Sequence, residues 1–363
     1  NYIVLPDSDG DGYESVAWTL AQNGVYDVLI NFKGPNSWFI SWIIAIPYSI
    51  FGRSLLLAQS LSLFFGMGCV FLSCLLANKL FDTQTSKKVG WIVALFPSLA
   101  LYSTIVMREV YVTFFLLLAF FGIVNWVRSG SLKSIILTLL GFVGGTFFHG
   151  GIFIGALIFL SIVLKKTFLN FMKVFLLKPI KFKSIYILVL ITIFSGFYFT
   201  NNFKIPKIGY FKDGINLEKL YVHNEKASRG SAAYPKWLNI KSPEELFYKG
   251  PVRAIFFFFS PFPWDITSPS HLIGLFDSLF YLLLIFFIFR NRKMILQDRA
   301  VKYILLILIG YIFVFGLGVS NFGTSIRHRS KFVIGLILLA APSIPRIVLS
   351  TKKKLKKNIF HKL

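Results

Sequence analysis

The chain has 363 residues, of which 55% are hydrophobic, and its mean hydropathy is +0.68. Only 15% of the residues are charged, against about a quarter in soluble domains, yet 39 Lys and Arg outweigh 15 Asp and Glu to give a net charge of +24. These proportions exclude an ordinary soluble protein. They also argue against a nucleic-acid partner, because such proteins carry their basic clusters on a polar folded surface. We expect a membrane protein whose charge is sorted across the bilayer.

Long apolar stretches predict an all-α, polytopic bundle of transmembrane helices. Crossing a bilayer takes about 20 residues, and stretches of roughly this length lie at 55–78, 89–107, 109–127, 184–200, 272–289, 302–319 and 332–349. A longer run, 134–164, contains His149 followed by two glycines and predicts two short spans that meet at a turn. Nine spans follow, and a further helix expected ahead of Asn1 would make ten.

Lysines and arginines in the short loops orient these spans, because such loops are enriched on the cytoplasmic side. Loops around Lys87, Arg128, 165–183 and 290–299 fall on one side of the predicted membrane, together with the lysine-rich tail. We therefore predict an exofacial acidic loop with an interfacial helix at 1–54, transmembrane helices at 55–200, a long exofacial loop with a re-entrant or interfacial segment at 201–271, transmembrane helices at 272–349 and a basic cytoplasmic tail at 350–363. The interfacial helix rests on a short, Trp-rich stretch at 37–52 interrupted by Pro47; the alternative is another crossing there, which would invert residues 1–36.

Carboxylates are concentrated near the amino terminus, at Asp7, Asp9, Asp11 and Glu14. Such a density predicts a catalytic base, a site for a divalent cation (Mg, Mn or Ca), or both. The spacing of the aspartates matches the first half of a calcium-binding loop, but the closing glutamate of that loop would fall at Trp18. The alternative is a solvated acidic turn that caps a helix starting near Tyr13.

Ionisable groups at the predicted exofacial ends of spans are further candidates, because such groups are costly in hydrocarbon. Arg108 could clamp a phosphate with two parallel hydrogen bonds, or simply pair with Glu109. His149 at the helix break indicates a cavity lining, or else a packed polar residue.

A basic cluster lies in a short predicted exofacial loop at 327–331, where the positive-inside tendency disfavours such charge. A lipid phosphate or diphosphate ligand would explain it, and nonspecific headgroup contact is the alternative. Arg253 and Asp265 bracket a proline-interrupted apolar segment, whose four phenylalanines at 256–259 are expected to face acyl chains or a lipid-linked substrate.

The first 110 residues or so contain Asp9-x-x-x-Tyr13-x-x-x-Ala17, Gly-Pro-Asn at 34–36, Ile-Phe-Gly-Arg at 50–53 and Met-Arg-Glu at 107–109. Over this part the chain resembles polytopic glycosyltransferases of the GT-C superfamily. Phe-His-Gly-Gly at 148–151 and Arg-His-Arg before the last predicted helix are instead similar to O-antigen polymerases of bacterial surface polysaccharides. The two resemblances differ in whether one sugar or a whole repeat unit is transferred.

Both resemblances imply the same chemistry at the exofacial leaflet of a bacterial inner membrane. The donor would be a sugar or glycan linked to a polyprenyl (undecaprenyl) phosphate or diphosphate, and other polysaccharide assembly proteins are possible partners. An aspartate at the start of the first external loop serves in the GT-C superfamily as base or metal ligand. This role is carried over to Asp9, with Asp11 as its neighbour.

These observations lead to the hypothesis of an inverting glycosyl transfer, with the C-terminus in the cytoplasm. The expected proton-transfer residues are Asp9, Asp11 and His149. The expected phosphate-binding residues are Arg108, Arg253, Arg327 and Arg329. The expected glycan contacts are Tyr13, Glu14, Glu109, Trp264 and Asp265. No cofactor is required by this hypothesis, and the candidate ligands for a divalent cation are Asp7, Asp9 and Asp11. The rival functions are a flippase for lipid-linked oligosaccharide and an enzyme of phospholipid or cell-wall lipid modification.

Overall fold

The structure is a computed structural model that describes residues 9–32, 34, 38–172, 204–205, 209–210, 228 and 230–345. Almost all of these residues are helical, which confirms the predicted helical class. Five helices are long and apolar enough to cross a membrane, as expected for a membrane-embedded protein. The predicted span 184–200, the tail 350–363 and Asp7 lie outside the described residues.

The helices of the described chain are numbered here in order. Before residue 173 they are α1 Asp9–Ala21, α2 Val25–Ile30, α3 Phe39–Phe51, α4 Leu55–Leu80, α5 Thr83–Leu95, α6 Pro97–Thr104, α7 Glu109–Ser129, α8 Leu132–Phe148 and α9 Phe153–Phe171. After residue 229 they are α10 Glu245–Phe259, α11 Pro269–Arg290, α12 Arg292–Gln297, α13 Arg299–Gly318, α14 Phe322–Arg329 and α15 Val333–Ala340. Short 3-10 turns cover Gly150–Ile152, Lys236–Leu238, Pro263–Asp265 and Ala341–Ser343, and two short antiparallel strands pair Lys204–Ile205 with Gly209–Tyr210.

Four predicted spans, 55–78, 109–127, 272–289 and 302–319, coincide with the long apolar helices α4, α7, α11 and α13. The fifth long apolar helix is Gly150–Phe171. It follows α8 across the break at His149, where the run 134–164 was expected to turn. The total number of membrane crossings stays a prediction.

One predicted span is wrong as a continuous helix. Residues 89–107 fall in α5 and α6, which are separated at Phe96. Phe96 has an extended conformation, with φ −67° and ψ 120°. This follows from Pro97, because a proline disfavours the helical conformation in the preceding residue and lacks the N–H that a continuous helix would need. Pro97 then begins α6, where the missing N–H costs nothing.

Helix α7 lies at the centre of the bundle. In the most apolar part of α7, 67% of the residues are buried, whereas the corresponding share is 28% in both α4 and α11. Small residues allow α8 to approach it closely: a Cβ added at Gly141 would lie 2.5 Å from the backbone nitrogen of Ala119. Close approach at glycine is a common way for helices to associate within membranes.

Two opposite ends of the bundle can be recognised from the contacts that close them. Helix α4 starts beside Arg53, which pairs with Glu14 of α1, and ends before Asp82, which caps α5. Its 26 residues correspond to about 39 Å at 1.5 Å per residue. We name the end that contains Asp9 and Glu14 the Asp9 end, and the end that contains Asp82 and Arg290 the Arg290 end.

Helices α1 and α3 pack against each other at the Asp9 end. The Ser41 hydroxyl donates to the Tyr13 carbonyl at 2.8 Å, and the Tyr48 hydroxyl donates to Glu14 at 3.0 Å. Helix α1 begins at Asp9, four residues earlier than expected, with Asp9 and Asp11 in its first turn. Carboxylates are favourable there because the amino-terminal end of a helix carries partial positive charge.

The proline-interrupted segment contains a helix, and its predicted re-entrant or interfacial position stays a prediction. Residues 245–259 form the regular helix α10, which includes Pro251, and the Ser260–Pro261 bond after it is cis. Phe257 and Phe258 are buried in the core, so the expectation that all four phenylalanines face lipid is wrong for these two.

Candidate functional site

A chain of charged side chains joins three helices at the Asp9 end. The Arg327 Nε atom donates to Glu109 Oε1 at 2.6 Å, and its Nη1 atom donates to the Asp9 carboxylate. The side chain of Asp9 is 54% exposed, that of Arg327 18% and that of Glu109 1%. This series of charged side chains therefore runs from the surface into the core. It brings Arg327 together with Glu109 and Asp9, which are 218 and 318 positions away in the sequence.

Helix ends place these three side chains. Asp9 and Glu109 are the first residues of α1 and α7, where a carboxylate is favoured by the helix dipole. Arg327 lies in the last turn of α14, a position that favours a cation. The Asn321 side chain starts this short helix by accepting a hydrogen bond from the Gly323 N–H at 2.8 Å.

Lys331 extends the chain inward. Its Nζ atom lies 3.2 Å from Glu109 Oε1 and 2.5 Å from His328 Nδ1, and both Lys331 and His328 are buried. The sequence placed Lys331 in the basic cluster, but only Arg327 and Arg329 were assigned a phosphate. Its spacing from Arg327 could have identified Lys331, because residues four apart lie on the same face of a helix.

Arg108 completes the cluster. It is buried immediately before α7, and its guanidinium lies 5.8 Å from the centre of the Tyr13 ring. Arg108 Nε, Arg327 Nη2 and Glu109 Oε2 are buried, and none has a hydrogen-bond partner among the described residues. Buried polar groups without partners are uncommon and costly. Two such donors from different arginines are groups that an anion could bind.

The charge balance of the cluster agrees with this interpretation. Three cations, Arg108, Arg327 and Lys331, face the two carboxylates of Asp9 and Glu109. Burial lowers the pKa of Arg327, but Glu109 and Asp9 outweigh that effect and hold the pKa above its ordinary value. Arg327 therefore stays charged, and the cluster retains an excess of one positive charge for a ligand to neutralise.

His149 lies on the inner side of this cluster. Its ring stacks on Phe315 at 4.9 Å between centres and meets the His328 ring edge-on at 5.0 Å. Its Nδ1 atom accepts a hydrogen bond from the Gly151 N–H at 3.2 Å. The structure thus connects His149 to the cluster through His328, whereas Asp9 joins it from the surface.

Arg329, two residues after Arg327, has a different environment. It is fully buried, and its Nη2 and Nε atoms donate to Asp277 at 2.7 and 3.0 Å. Its Nη1 atom donates to the carbonyls of Phe258 and Ser260 at 3.0 and 2.7 Å. Because protein partners occupy every nitrogen of this guanidinium, we leave Arg329 out of the candidate site and assign it a structural role between α11, α14 and the end of α10.

Arg253 also binds protein atoms. It is fully buried, and it donates to the carbonyls of Leu238, Gly316 and Val319 at 2.8, 3.2 and 2.7 Å. Burial lowers the pKa of Arg253 to about 10, so it is still a cation at neutral pH. Its acceptors include the carboxyl-terminal turn of α13, where a cation is favoured. Arg253 therefore closes a helix end, and we leave it out of the candidate site as well.

The structure separates Asp11 from Asp9. Asp11 faces an open cavity of about 670 Å³ that it lines with Glu14 and Arg53. Arg53 binds both oxygens of Glu14, at 3.0 and 2.8 Å. This pairing lowers the pKa of Glu14 below its ordinary value of 4.5. Glu14 is therefore already bound by Arg53, whereas the Tyr13 ring faces Arg108.

Trp264 and Asp265 lie in the turn after the cis bond. Trp264 is exposed and stacks on Phe262 at 4.9 Å, and the Asp265 carboxylate accepts a hydrogen bond from the Phe262 N–H at 2.9 Å. The exposed indole could pack against a sugar ring. No described contact connects either residue to the arginine cluster, so their role in binding a glycan stays a prediction.

The structure offers little support for the predicted cation site. No group of three His, Cys, Asp or Glu side chains within the described ranges is placed to hold a metal ion. Asp9 binds Arg327 while Asp11 faces the separate cavity, and Asp7 lies outside the described residues. We therefore derive no chemistry from a metal.

Comparison with known proteins identifies no relative. No protein-family model matches the sequence, and neither the curated proteins nor the solved structures provide a match. The resemblances to the GT-C superfamily and to O-antigen polymerases stay predictions.

Proposed function

We propose that the protein is an integral membrane glycosyltransferase that uses a sugar or oligosaccharide linked to a polyprenyl phosphate or diphosphate. The observation that carries this proposal is the pair of buried guanidinium donors of Arg108 and Arg327, which have no partner in the described part of the chain, beside the half-exposed carboxylate of Asp9. The Asp9 end would face the exterior. The reaction would serve the assembly of a surface polysaccharide, and in its most specific version it would join whole repeat units into a polymer.

The arginines suit the leaving group of such a reaction. As the bond between the anomeric carbon and the phosphate oxygen breaks, its electron pair passes to the phosphate, whose charge grows. Charge-assisted hydrogen bonds from Arg108 and Arg327 would stabilise that charge, and they are stronger in a site that excludes water. A lipid-linked donor also fits the location, because the cluster lies at one end of apolar helices such as α7.

Asp9 suits the role of general base. The acceptor hydroxyl oxygen would form the new bond to the anomeric carbon while its proton passes to the Asp9 carboxylate. Attack from the side opposite to the leaving phosphate would invert the anomeric centre. In the structure Arg327 Nη1 donates to Asp9. A phosphate that binds Arg327 at Nη2 would compete with Asp9 for the charge of the same guanidinium. Binding of the lipid-linked sugar would therefore release the carboxylate for proton transfer.

Glu109 and Lys331 would position Arg327 without contacting the substrate. Glu109 holds Arg327 Nε at 2.6 Å, and Lys331 holds Glu109 at 3.2 Å from the buried side. Glu109, itself held by Lys331, fixes the guanidinium from its buried side, and Nη2 has no partner among the described residues. Such restriction is how supporting residues preorganise a binding group.

The test is turnover of a labelled polyprenyl-diphosphate-linked glycan by the purified protein in vesicles, with formation of a new glycosidic bond as the readout. Asp9→Asn should lower turnover by about 100-fold or more, the range for loss of a general base. Asp11→Asn is the matched control, because Asp11 lies two residues away and lines a cavity that Asp9 does not line. We expect it to stay close to wild type.

Full activity of Asp9→Asn would contradict the proposed role of this residue. Movement of the label across the membrane without a new glycosidic bond would contradict the proposed reaction and favour a flippase.

A further inference from the structure

A second cavity, at the Arg290 end, is independent of the proposed reaction. Its volume is about 800 Å³, and it lies between the start of α5, the end of α11 and residues 342–345. Phe286, Phe287 and Met294 supply apolar wall, and the charged groups in its lining are Asp82, Lys88 and Arg290. The cavity therefore combines an apolar surface with ionic groups at the end of a helix long enough to span a membrane.

Two of the charged groups hold the walls together. Lys88 Nζ donates to the carbonyls of Ala341 and Ile344, each at 2.6 Å. The Asp82 carboxylate caps α5 by accepting a hydrogen bond from the Thr85 N–H at 2.7 Å. Both side chains therefore have structural roles in the cavity wall. The lining as a whole has two cations, Lys88 and Arg290, and one carboxylate, Asp82.

Arg290 differs from both. It is the exposed last residue of α11, and no hydrogen bond or ion pair joins its guanidinium to any residue that the structure describes. Phe286, one turn earlier on the same helix, is also exposed. The two side chains offer a charged group and an apolar surface in the order in which a phospholipid presents its phosphate and its acyl chains.

We propose that this cavity binds an anionic phospholipid of the surrounding leaflet, with the phosphate on Arg290 and acyl chains along Phe286 and Phe287. The net positive lining favours an anionic headgroup, and basic pockets between membrane helices are known to bind such lipids. On the predicted orientation this is the cytoplasmic leaflet. Arginine suits the contact because its planar guanidinium can form two parallel bonds to a phosphate.

The experiment uses the full chain in phosphatidylcholine vesicles with and without phosphatidylglycerol, followed by native mass spectrometry of the lipids that stay bound. Arg290→Gln should weaken phosphatidylglycerol binding by about tenfold, which corresponds to about 1.4 kcal/mol. Arg290→Lys should retain most of it, because the charge remains. The matched control is Arg292→Gln: Arg292 is a cation of the same end, but it stacks on Phe289 at 4.4 Å outside the cavity lining.

Equal losses in Arg290→Gln and Arg292→Gln would overturn the proposal, because they would indicate nonspecific attraction to the whole basic surface. Equal retention of phosphatidylcholine and phosphatidylglycerol by the wild type would also overturn it. In that case the cavity either takes any lipid or is filled by other residues of the chain. Arg290 is exposed, so the variants are expected to fold, and an unchanged elution volume in detergent checks this.

Discussion

Arg327 and Arg329 are separated by one residue on α14, yet their surroundings assign them different roles. Arg327 reaches Asp9 at the surface and keeps one nitrogen without a partner among the described residues, whereas every nitrogen of Arg329 is bound by protein atoms. Their chemistry is the same, so the difference comes from the direction in which each projects from the helix. The sequence predicts the same role for both arginines, because it specifies the residue types and not the partners of each side chain.

Replacing Arg329 by Gln should therefore affect stability more than it affects ligand binding. Removing one member of a buried pair leaves Asp277 as an uncompensated charge, which typically costs about 3–5 kcal/mol. We expect a lower unfolding midpoint in detergent for Arg329→Gln. The double variant Arg329→Met with Asp277→Leu should recover much of the loss. Wild-type stability combined with lost affinity for a polyprenyl phosphate would instead place Arg329 in the binding site.

The pair of Glu14 and Arg53 predicts a dependence of stability on acid. The pKa of Glu14 is lowered in the folded protein by Arg53. Its contribution is therefore complete above the ordinary pKa of 4.5 and is lost as the pH falls through the lower folded value. Unfolding at a series of pH values below about 4.5 should show a steeper loss for the wild type than for Glu14→Gln or Arg53→Gln. Identical acid profiles for all three proteins would show that this pair contributes nothing.

Among the elements, the packing of α7 against α8 depends on glycines. A Cβ at Gly141 would meet the backbone nitrogen of Ala119 at 2.5 Å and the carbonyl oxygen of Phe115 at 2.7 Å, and backbone atoms cannot move aside as a flexible side chain can. Gly141→Ala should therefore lower stability by about 1–3 kcal/mol, the usual cost of overpacking. Gly318→Ala is the matched control, because nothing lies within 4 Å of the added Cβ. Equal melting temperatures for the two variants would contradict the close approach of α7 and α8.

Helix positions could be predicted well from the sequence where hydrophobicity alone decides them. The long apolar runs that became α4, α7, α11 and α13 are examples, and so is the break at His149. The interruption at Phe96 was also encoded in the sequence, since Pro97 follows it, but overall hydropathy concealed it. Helix α10 continues through Pro251 in its interior, a position where a proline usually kinks or breaks a helix, so its continuity could not be predicted from the sequence.

The candidate site was predictable only in part. Asp9, Arg108 and Arg327 could be proposed because charge at the end of an apolar span is unusual. The contact of Arg327 with Glu109, 218 residues away, depends on tertiary packing that a single sequence does not reveal. The same limitation applies to Asp11, which shares a helical turn with Asp9 but lines a cavity that does not include Asp9.

At the scale of the whole molecule, the ionic groups are sorted between two ends of one helical bundle. The Asp9 end holds a compact, paired cluster, and the Arg290 end holds loop cations such as Arg290 and Arg292. By the positive-inside tendency, the Arg290 end should face the cytoplasm. The proposed reaction would then take place on the outside.

Cysteine labelling tests this orientation. Ser15 is an exposed residue near the Asp9 end, and Ser129 is an exposed residue near the Arg290 end. In a background with Cys69 and Cys74 replaced by Ala, a membrane-impermeant maleimide should label Ser15→Cys in intact cells. It should label Ser129→Cys only after the membrane is permeabilised. The reverse pattern would place the arginine cluster in the cytoplasm and exclude an exofacial reaction.

The most direct measurement of the central proposal is an experimental structure of the protein with a bound polyprenyl diphosphate. We predict phosphate oxygens within about 3 Å of Arg327 Nη2 and Arg108 Nε, the distance of a charge-assisted hydrogen bond, with the Asp9 carboxylate turned away from Arg327 towards the anomeric position. A diphosphate bound elsewhere, with Arg327 still paired to Asp9 and Glu109, would contradict the account.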